Sequence, residues 1–310
     1  MVHPSHAIRG RASSLLAGRR IVLGISGSVA AIEVPRIARE LIRHGADVVA
    51  VMSPEALRLV TPEVIEFATG HPPVVQLTGN VEHVTLLGPG EGRADLYLIA
   101  PATANTIAKI AHGIDDTPVT ACASVALGGG VPILLAPAMH AHMGLNPAVR
   151  ENLEKLRSWG VEIIRSQSTE GEEKLATPEE VAAAVLHRAA QGPWAGRPVI
   201  VIAGAARESI DPVRSITNES SGATGVALAT EAHYRGADVE LWMGSMQVQV
   251  PSFVSTRSWR GVPDLLALAR SRAAKLRAAS AIFVPAALSD FTVTRSAGKI
   301  SSHAREGLEL

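Results

Sequence analysis

Ile21-Val22-Leu23-Gly24-Ile25-Ser26-Gly27-Ser28-Val29-Ala30-Ala31 decides the fold. Residues 21–26 are apolar and β-branched, the turn that follows is built from small residues, and helical spacing then runs over 28–44. The stretch reads as a strand, a tight turn and a helix start, the opening of a βαβ unit. Ser26, Gly27 and Ser28 offer backbone N–H groups and hydroxyls beside a helix N-terminus, a chemistry that suits a phosphate. The glycines stand at 24 and 27 and do not spell G-x-G-x-x-G, which lowers a dinucleotide reading. A mononucleotide, or a tight turn without ligand, stays open.

Outward from this stretch the alternation continues. Residues 47–52 read as a strand, and 61–69 as a short helix with Thr61 as N-cap and Pro62 at the first helical position. A strand at 96–100, a helix over 103–111, a strand at 132–136, a helix over 147–159 stopped by Gly160, a strand at 161–164 and a helix from Thr177 through Arg188 follow. Near-continuous apolar strands between amphipathic helices indicate a parallel sheet covered on both faces. Residues 191–197 read as a turn-rich linker, after which the pattern restarts. Strands are expected at 198–203, 238–243 and 281–285, with helices over 222–235 and 262–278. That is too little for a full doubly wound sheet. The expected class is therefore α/β: a flavodoxin-like or Rossmann-like parallel-sheet domain over 19–190, then a second, incomplete Rossmann-like domain over 198–310. Residues 1–18, with Arg9 and Arg11, are expected to form a disordered leader.

Bulk properties narrow the function classes. The 310 residues are 47% hydrophobic and 19% charged, with a formal net charge of zero. Such a chain can bury large cores and is no general nucleic-acid binder. No apolar run reaches the roughly 18 residues of a membrane span. One cysteine, Cys122, excludes an internal disulfide framework and a cysteine-rich metal site, and points to a reducing, cytoplasmic setting.

Two strands end in Pro-Ala turns: Pro101-Ala102-Thr103-Ala104-Asn105-Thr106 and Pro137-Ala138-Met139-His140-Ala141-His142-Met143. Ligands of open α/β sheets bind at the carboxyl ends of strands, so these turns and 24–31 outline a pocket for a phosphate-bearing cofactor and a small polar substrate. Asn105 alone would pass for a helix cap or turn residue. His140 and His142, one residue apart with no carboxylate or cysteine beside them, make a poor metal site. His83, between a turn and a glycine-rich loop, could act as a general base only with a neighbour to set its tautomer. In the second half, Ser220-Ser221-Gly222-Ala223-Thr224-Gly225 opens a helix and could cradle an anion. Arg207 and Arg214 could pair with phosphate or with surface acids. Asp290 and Lys299 are loop residues that suit a metal–nucleotide and a phosphate.

With these segments quoted, the chain resembles the bifunctional phosphopantothenoylcysteine decarboxylase / phosphopantothenate–cysteine ligase family of coenzyme A biosynthesis, from Arg20 onward. The first half carries the resemblance in 24–31, His83-Val84-Thr85-Leu86, 100–106, Gly113-Ile114-Asp115-Asp116 and 137–143. The second carries it in 203–214, 218–225, Ser289-Asp290-Phe291 and Gly298-Lys299-Ile300. The resemblance implies FMN at Gly24, Ser26, Gly27, Ser28, Ser53, Ala100 and Thr103, with His83 as catalytic base. It places substrate at Asn105, Met139, His140 and Met143. FMN would oxidise the cysteine thiol toward a thioaldehyde, the electron sink for loss of the carboxylate, and the resulting enethiolate would then be reduced. In the ligase half it implies activation of phosphopantothenate by CTP as an acyl-cytidylate, which cysteine attacks. Asn218 and Lys299 would be catalytic there. Gly204, Ser220, Ser221, Gly222, Pro285, Ala286, Asp290 and Lys299 would hold the nucleotide, and Asp290 would hold Mg²⁺. A homo-oligomer is implied, trimer-based in the first domain and dimerising through the ligase. Bacterial members carry Asn where this chain has His140, and a cysteine in a flap whose counterpart here, 168–176, has none. Part of the usual ligase domain would lie beyond Leu310. A flavin prenyltransferase fits the first half alone, and a flavin-binding subunit without turnover is the non-enzymatic alternative.

Overall fold

The computed structural model describes residues 3–164, 175–291 and 294–301. The chain divides into two compact units, Met1–Ala189 and Ala190–Leu310. The flap counterpart at 168–174 lies outside the described residues.

In the first unit, α1 (Pro4–Ile8) precedes β1 (Arg20–Ile25), a 3₁₀ turn (Val29–Glu33) and α2 (Val34–Arg43). Then come β2 (Asp47–Met52), α3 (Pro62–Thr69), α4 (Glu82–Leu87), β3 (Leu96–Ala102), α5 (Ala104–His112) and α6 (Pro118–Gly129). The unit closes with β4 (Ile133–Pro137), α7 (Ala141–Gly144), α8 (Pro147–Ser158), β5 (Glu162–Ile163) and α9 (Pro178–Ala189). All pairings are parallel, in the order β2-β1-β3-β4-β5. This is the flavodoxin-like order, whose chain direction reverses between β1 and β3. Alternate strand residues Val22, Tyr97, Ile99, Ile133 and Leu135 pack in one core with Ile107, Val119 and Leu156 of the covering helices.

The expected disordered leader is a correction: residues 3–18 are ordered. The carbonyls that end α2 have no intrahelical partners, and the leader supplies them. Gly10 N donates to Ile42 O, Ala12 N to Arg43 O and Leu16 N to His44 O. Leu16 is fully buried. Gly45, at φ +103°, leaves room for Ala17, whose nitrogen would lie 2.9 Å from an added Cβ.

Helices α4 and α6 escape the sequence pattern. Helix α6 is apolar nearly all round, so it shows no amphipathic stripe. Helix α4 carries His83, expected between a turn and a glycine-rich loop; its start is set by Val81, a β-branched residue in the left-handed region at φ 48° and ψ 49°.

The second unit runs β6 (Pro198–Ala205), β7 (Arg207–Ser209), β8 (Ser215–Thr217), α10 (Ala223–Tyr234), β9 (Asp238–Met243) and β10 (Ser255–Ser258). It continues with α11 (Val262–Ser271), α12 (Ala273–Ala278), β11 (Ala281–Phe283) and β12 (Ala286–Ala287). The parallel sheet has the order β10-β9-β6-β11, with β12 pairing further along β6, and β7 with β8 forms an antiparallel hairpin. Val199, Val201 and Ala203 face one core, Ile200 and Ile202 the other. The helix expected over 262–278 breaks at Arg272, and α12 brings Lys275 Nζ to 2.9 Å from the buried Glu240. Burial pushes Glu240 up, yet Lys275, the Trp242 indole N–H and Arg272 outweigh it and hold the carboxyl below its ordinary value. The expected linker is not free chain: Trp194 packs on the β6–β9 core, and Gly196 N donates to Gly236 O at 2.8 Å.

Candidate functional site

In the first unit, the carboxyl ends of β1, β3 and β4 are tied together. Ser26 Oγ donates to Pro101 O at 2.7 Å and accepts from Thr103 N at 3.0 Å. Ala138 N donates to Ala102 O at 3.0 Å. The Ala100–Pro101 peptide is cis. The buried Ser26 hydroxyl thus clamps the turn after β1 to the turn after β3. Ser28 caps the 3₁₀ turn, accepting from Ala30 N at 3.3 Å, and Ser53 Oγ accepts from Ala56 N at 3.3 Å. Gly27 is glycine because Glu55 Cβ would sit 2.3 Å from an added Cβ. Gly24 has another cause: Tyr97 Oη would lie 2.4 Å from its Cβ. That hydroxyl donates to Val119 O at 2.8 Å in the core below the sheet.

Thr103, not Asn105, caps α5, accepting from Thr106 N at 3.2 Å. Asn105 is left exposed in the first turn of α5. Met139 packs half-buried against the core, and Met143 is half exposed on α7. His140 caps α7, and its ring stacks on His142, with centroids 5.1 Å apart and Nδ1 atoms 3.3 Å apart. One of those nitrogens must therefore donate to the other.

His83 stands on α4. Helix α4 packs on α6, and no hydrogen bond or ring contact among the described residues joins His83 to the strand ends. Its Nδ1 is buried without a hydrogen-bond partner among the described residues. The adjacent Glu82 does not orient it, since that carboxylate accepts from Thr78 N at 2.9 Å. Cys122 is no acid: burial pushes its thiol up to about 12.

In the second unit, the direction reversal lies between β6 and β11, and the expected residues gather there. Ala286 pairs with Gly204, which sits at φ +89°. Gly225 lets α10 lie against β6, since Ala203 Cβ would be 2.1 Å from its own. Pro285 Cγ would lie 3.6 Å from that same Cβ. Ser220 and Ser221 hydroxyls accept from Gly222 N and Ala223 N at 3.4 and 3.3 Å. Asn218 Nδ2 donates to Leu288 O at 2.8 Å, two residues before Asp290. Asp290 and Lys299 are exposed. Asp290 belongs to no group of three or more potential metal ligands among the described residues.

Sequence reading missed the residue that organises this site. Asp211, fully buried, accepts from Val213 N at 2.7 Å and Arg214 N at 2.6 Å through Oδ1, and from Ile300 N at 3.2 Å through Oδ2. Burial pushes this carboxyl up, but those three amides and the Arg214 charge outweigh it and hold it below its ordinary value. One carboxylate thereby docks the segment carrying Lys299 against the β7–β8 hairpin that leads to Asn218. Arg214 stands 3.7 Å from Asp211.

Residues 9–190 match the family described as Flavoprotein, and residues 194–310 the DNA/pantothenate metabolism flavoprotein C-terminal domain. The coenzyme A biosynthesis bifunctional protein CoaBC of Thermococcus kodakarensis is 47% identical over all of this chain and 76% of its own length. Its namesake in Methanocaldococcus jannaschii is 35% identical over 100% and 75%. The chain belongs to this bifunctional family. It is an enzyme of coenzyme A biosynthesis with decarboxylase and ligase activities, its Flavoprotein unit followed by the flavoprotein C-terminal domain. Among solved structures, the FMN-dependent cysteine decarboxylase SpaF aligns at 35% identity over 56% of this chain and 99% of its own, with a TM-score of 0.49. No helix among the described residues is long and apolar enough to cross a membrane.

Proposed function

We propose that the first unit binds FMN at the carboxyl ends of β1 and β3 and decarboxylates phosphopantothenoylcysteine to 4'-phosphopantetheine. We infer that the second makes phosphopantothenoylcysteine from 4'-phosphopantothenate, cysteine and CTP. The observation that carries this reading is that each sheet reverses direction once, at β1/β3 and at β6/β11, and that the expected turns gather at those two reversals. The donors at the first reversal are hydroxyls of Ser28 and Ser53 and the amides of a small-residue turn, a neutral set that fits a flavin phosphate. Bound there, FMN supplies the two-electron chemistry that makes the cysteine carboxylate a leaving group.

The chain's own residues do the rest. Asn105, exposed at the start of α5, and Met139 with His140 at the end of β4 hold the substrate. His83 takes the proton that must leave the substrate. Its orphaned Nδ1 supports completion of the site by a neighbouring subunit, in line with a homo-oligomer whose flavoprotein units associate as trimers. In the ligase unit, the phosphopantothenate carboxylate attacks the α-phosphorus of CTP and pyrophosphate leaves. The cysteine amine then attacks the acyl carbon and CMP leaves. Lys299 stabilises charge on the phosphates, Asn218 orients the acyl-cytidylate, and Asp290 contacts a Mg²⁺ carried mainly by the nucleotide phosphates. The single cysteine supports a cytoplasmic setting.

The test is a pair of assays on the purified chain: carbon dioxide release from phosphopantothenoylcysteine, and pyrophosphate release from CTP with phosphopantothenate, cysteine and Mg²⁺. Flavin absorbance with carbon dioxide release is expected. A protein that remains without flavin absorbance after incubation with FMN overturns the first half of the reading. Use of ATP but not CTP overturns the nucleotide assignment.

A further inference from the structure

The loop that carries Lys299 is held by two consecutive residues of the turn between β7 and β8. Ser296 N donates to Ile210 O at 2.8 Å, and Ile300 N donates to Asp211 Oδ2 at 3.2 Å. Between these anchors Ser296 Oγ donates to Gly298 O at 2.9 Å, which folds the backbone back just before Lys299. The same hairpin leads on to Asn218, whose Nδ2 donates to Leu288 O at 2.8 Å. One hairpin therefore grips the chain at 288 and again at 296 and 300, and both Asp290 and Lys299 fall between those grips.

The two oxygens of Asp211 have different tasks. Oδ1 accepts from Val213 N and Arg214 N at 2.7 and 2.6 Å, and Ile210 N donates across the same turn to Arg214 O at 3.0 Å. Those bonds close the turn itself. Oδ2 is left for Ile300 N, with the Arg214 guanidinium 3.7 Å away. Asp211 is buried, so its bonds form where water does not weaken them. An ionised carboxylate accepts at both oxygens, whereas a side-chain amide accepts at one and donates at the other end. Asparagine at 211 would keep its oxygen on the two turn amides and set its NH₂ group against Ile300 N–H, donor against donor. The side chains have nearly the same shape, so this substitution unhooks the Lys299 loop and leaves the turn closed.

Resting on the ligase reading of this unit, we propose that Asp211 is a positioning residue for the ligase reaction, acting through Lys299 and not on the substrate. Its Oδ2 fixes the backbone next to Lys299, and the ammonium is thereby held ready for the charge that develops on the phosphates. The test is a double-substitution cycle on the full chain, read by pyrophosphate release with CTP, phosphopantothenate, cysteine and Mg²⁺. Asp211→Asn should lower kcat at least about tenfold, the loss of one hydrogen bond to a charged group, with KM for cysteine unchanged. Added to Lys299→Gln, the same substitution should lower kcat by less than about twofold, because the ammonium through which it acts is already gone. Ile300→Pro removes the same hydrogen bond from the other side and keeps the carboxylate. It should reproduce the loss of kcat, and it carries the test should Asp211→Asn fail to fold. Hydrogen exchange followed by mass spectrometry reads the latch without turnover: residues 296–300 should exchange faster in Asp211→Asn, and residues 210–217 at the native rate. Full kcat in Asp211→Asn overturns the inference, as does an equal loss of kcat with and without Lys299, the mark of a merely structural residue. So does unchanged exchange over 296–300. No pyrophosphate release by the native chain, or full release by Lys299→Gln, overturns the ligase reading instead, and the exchange of 296–300 then decides the latch by itself.

Discussion

His83, Asp211 and Cys122 show how much a single side chain's surroundings decide. An unpartnered buried imidazole nitrogen costs about 1–3 kcal/mol, and a positioned base returns about 10²–10⁴-fold in rate. His83→Asn should therefore lower carbon dioxide release by that factor while flavin absorbance stays unchanged; near-full turnover would remove His83 from the chemistry. Asp211 has a lowered folded pKa, so its contribution to stability is present above the ordinary carboxylate value of about 3.9. It is lost as pH falls through the lower folded value. Asp211→Asn should lower the stability of the ligase unit near neutral pH and flatten its loss below about pH 4. Urea unfolding from pH 7 down to acid, followed by the fluorescence of Trp242 and Trp259, checks both the sign and the window. Cys122 stays a neutral thiol at working pH, so the native protein should resist iodoacetamide at pH 8 and react once unfolded, as read by mass spectrometry.

At the scale of elements, close packing explains why residue 24 is a glycine. Gly24 sits where the Tyr97 ring needs the space, and overpacking a filled core costs typically about 1–3 kcal/mol. Gly24→Ala should lower the urea midpoint by that amount, and Tyr97→Phe in the same chain should restore part of it by removing the 2.4 Å contact to the hydroxyl. The leader gives a second test, because a disordered segment and one that closes α2 predict different results. Leu16→Ala should cost about 2–5 kcal/mol if the segment is packed as described, and nothing measurable if it is free. The β10 edge was invisible beforehand because Ser255-Thr256-Arg257-Ser258 is exposed throughout and has no apolar alternation. Helix α6 was hidden for the opposite reason, an apolar surface without periodicity.

At the scale of the molecule, the proposal places the two reactions in two units, each with its own parallel sheet and its own reversal point. His83→Asn should leave pyrophosphate release intact, and Lys299→Gln should leave carbon dioxide release intact. Loss of both activities in either variant would show that the units depend on one another.

The amino-acid sequence by itself determined the two-unit α/β plan, most strand positions and the turns proposed to carry the chemistry. These are local properties: apolar runs, small-residue turns, prolines at helix starts and glycines at their ends leave their marks within about ten residues. What tertiary structure decided joins residues far apart in the chain. Only the fold shows Asp211 receiving the amide of Ile300, Ser26 clamping Pro101, and the carbonyls ending α2 met by residues 10–16. Only the fold joins the Arg207 amide to the Arg260 carbonyl. Hydrogen bonds and charges act over a few ångströms in space. The chain writes residues in order and not in place, so those pairings came into view with the packing of the sheets.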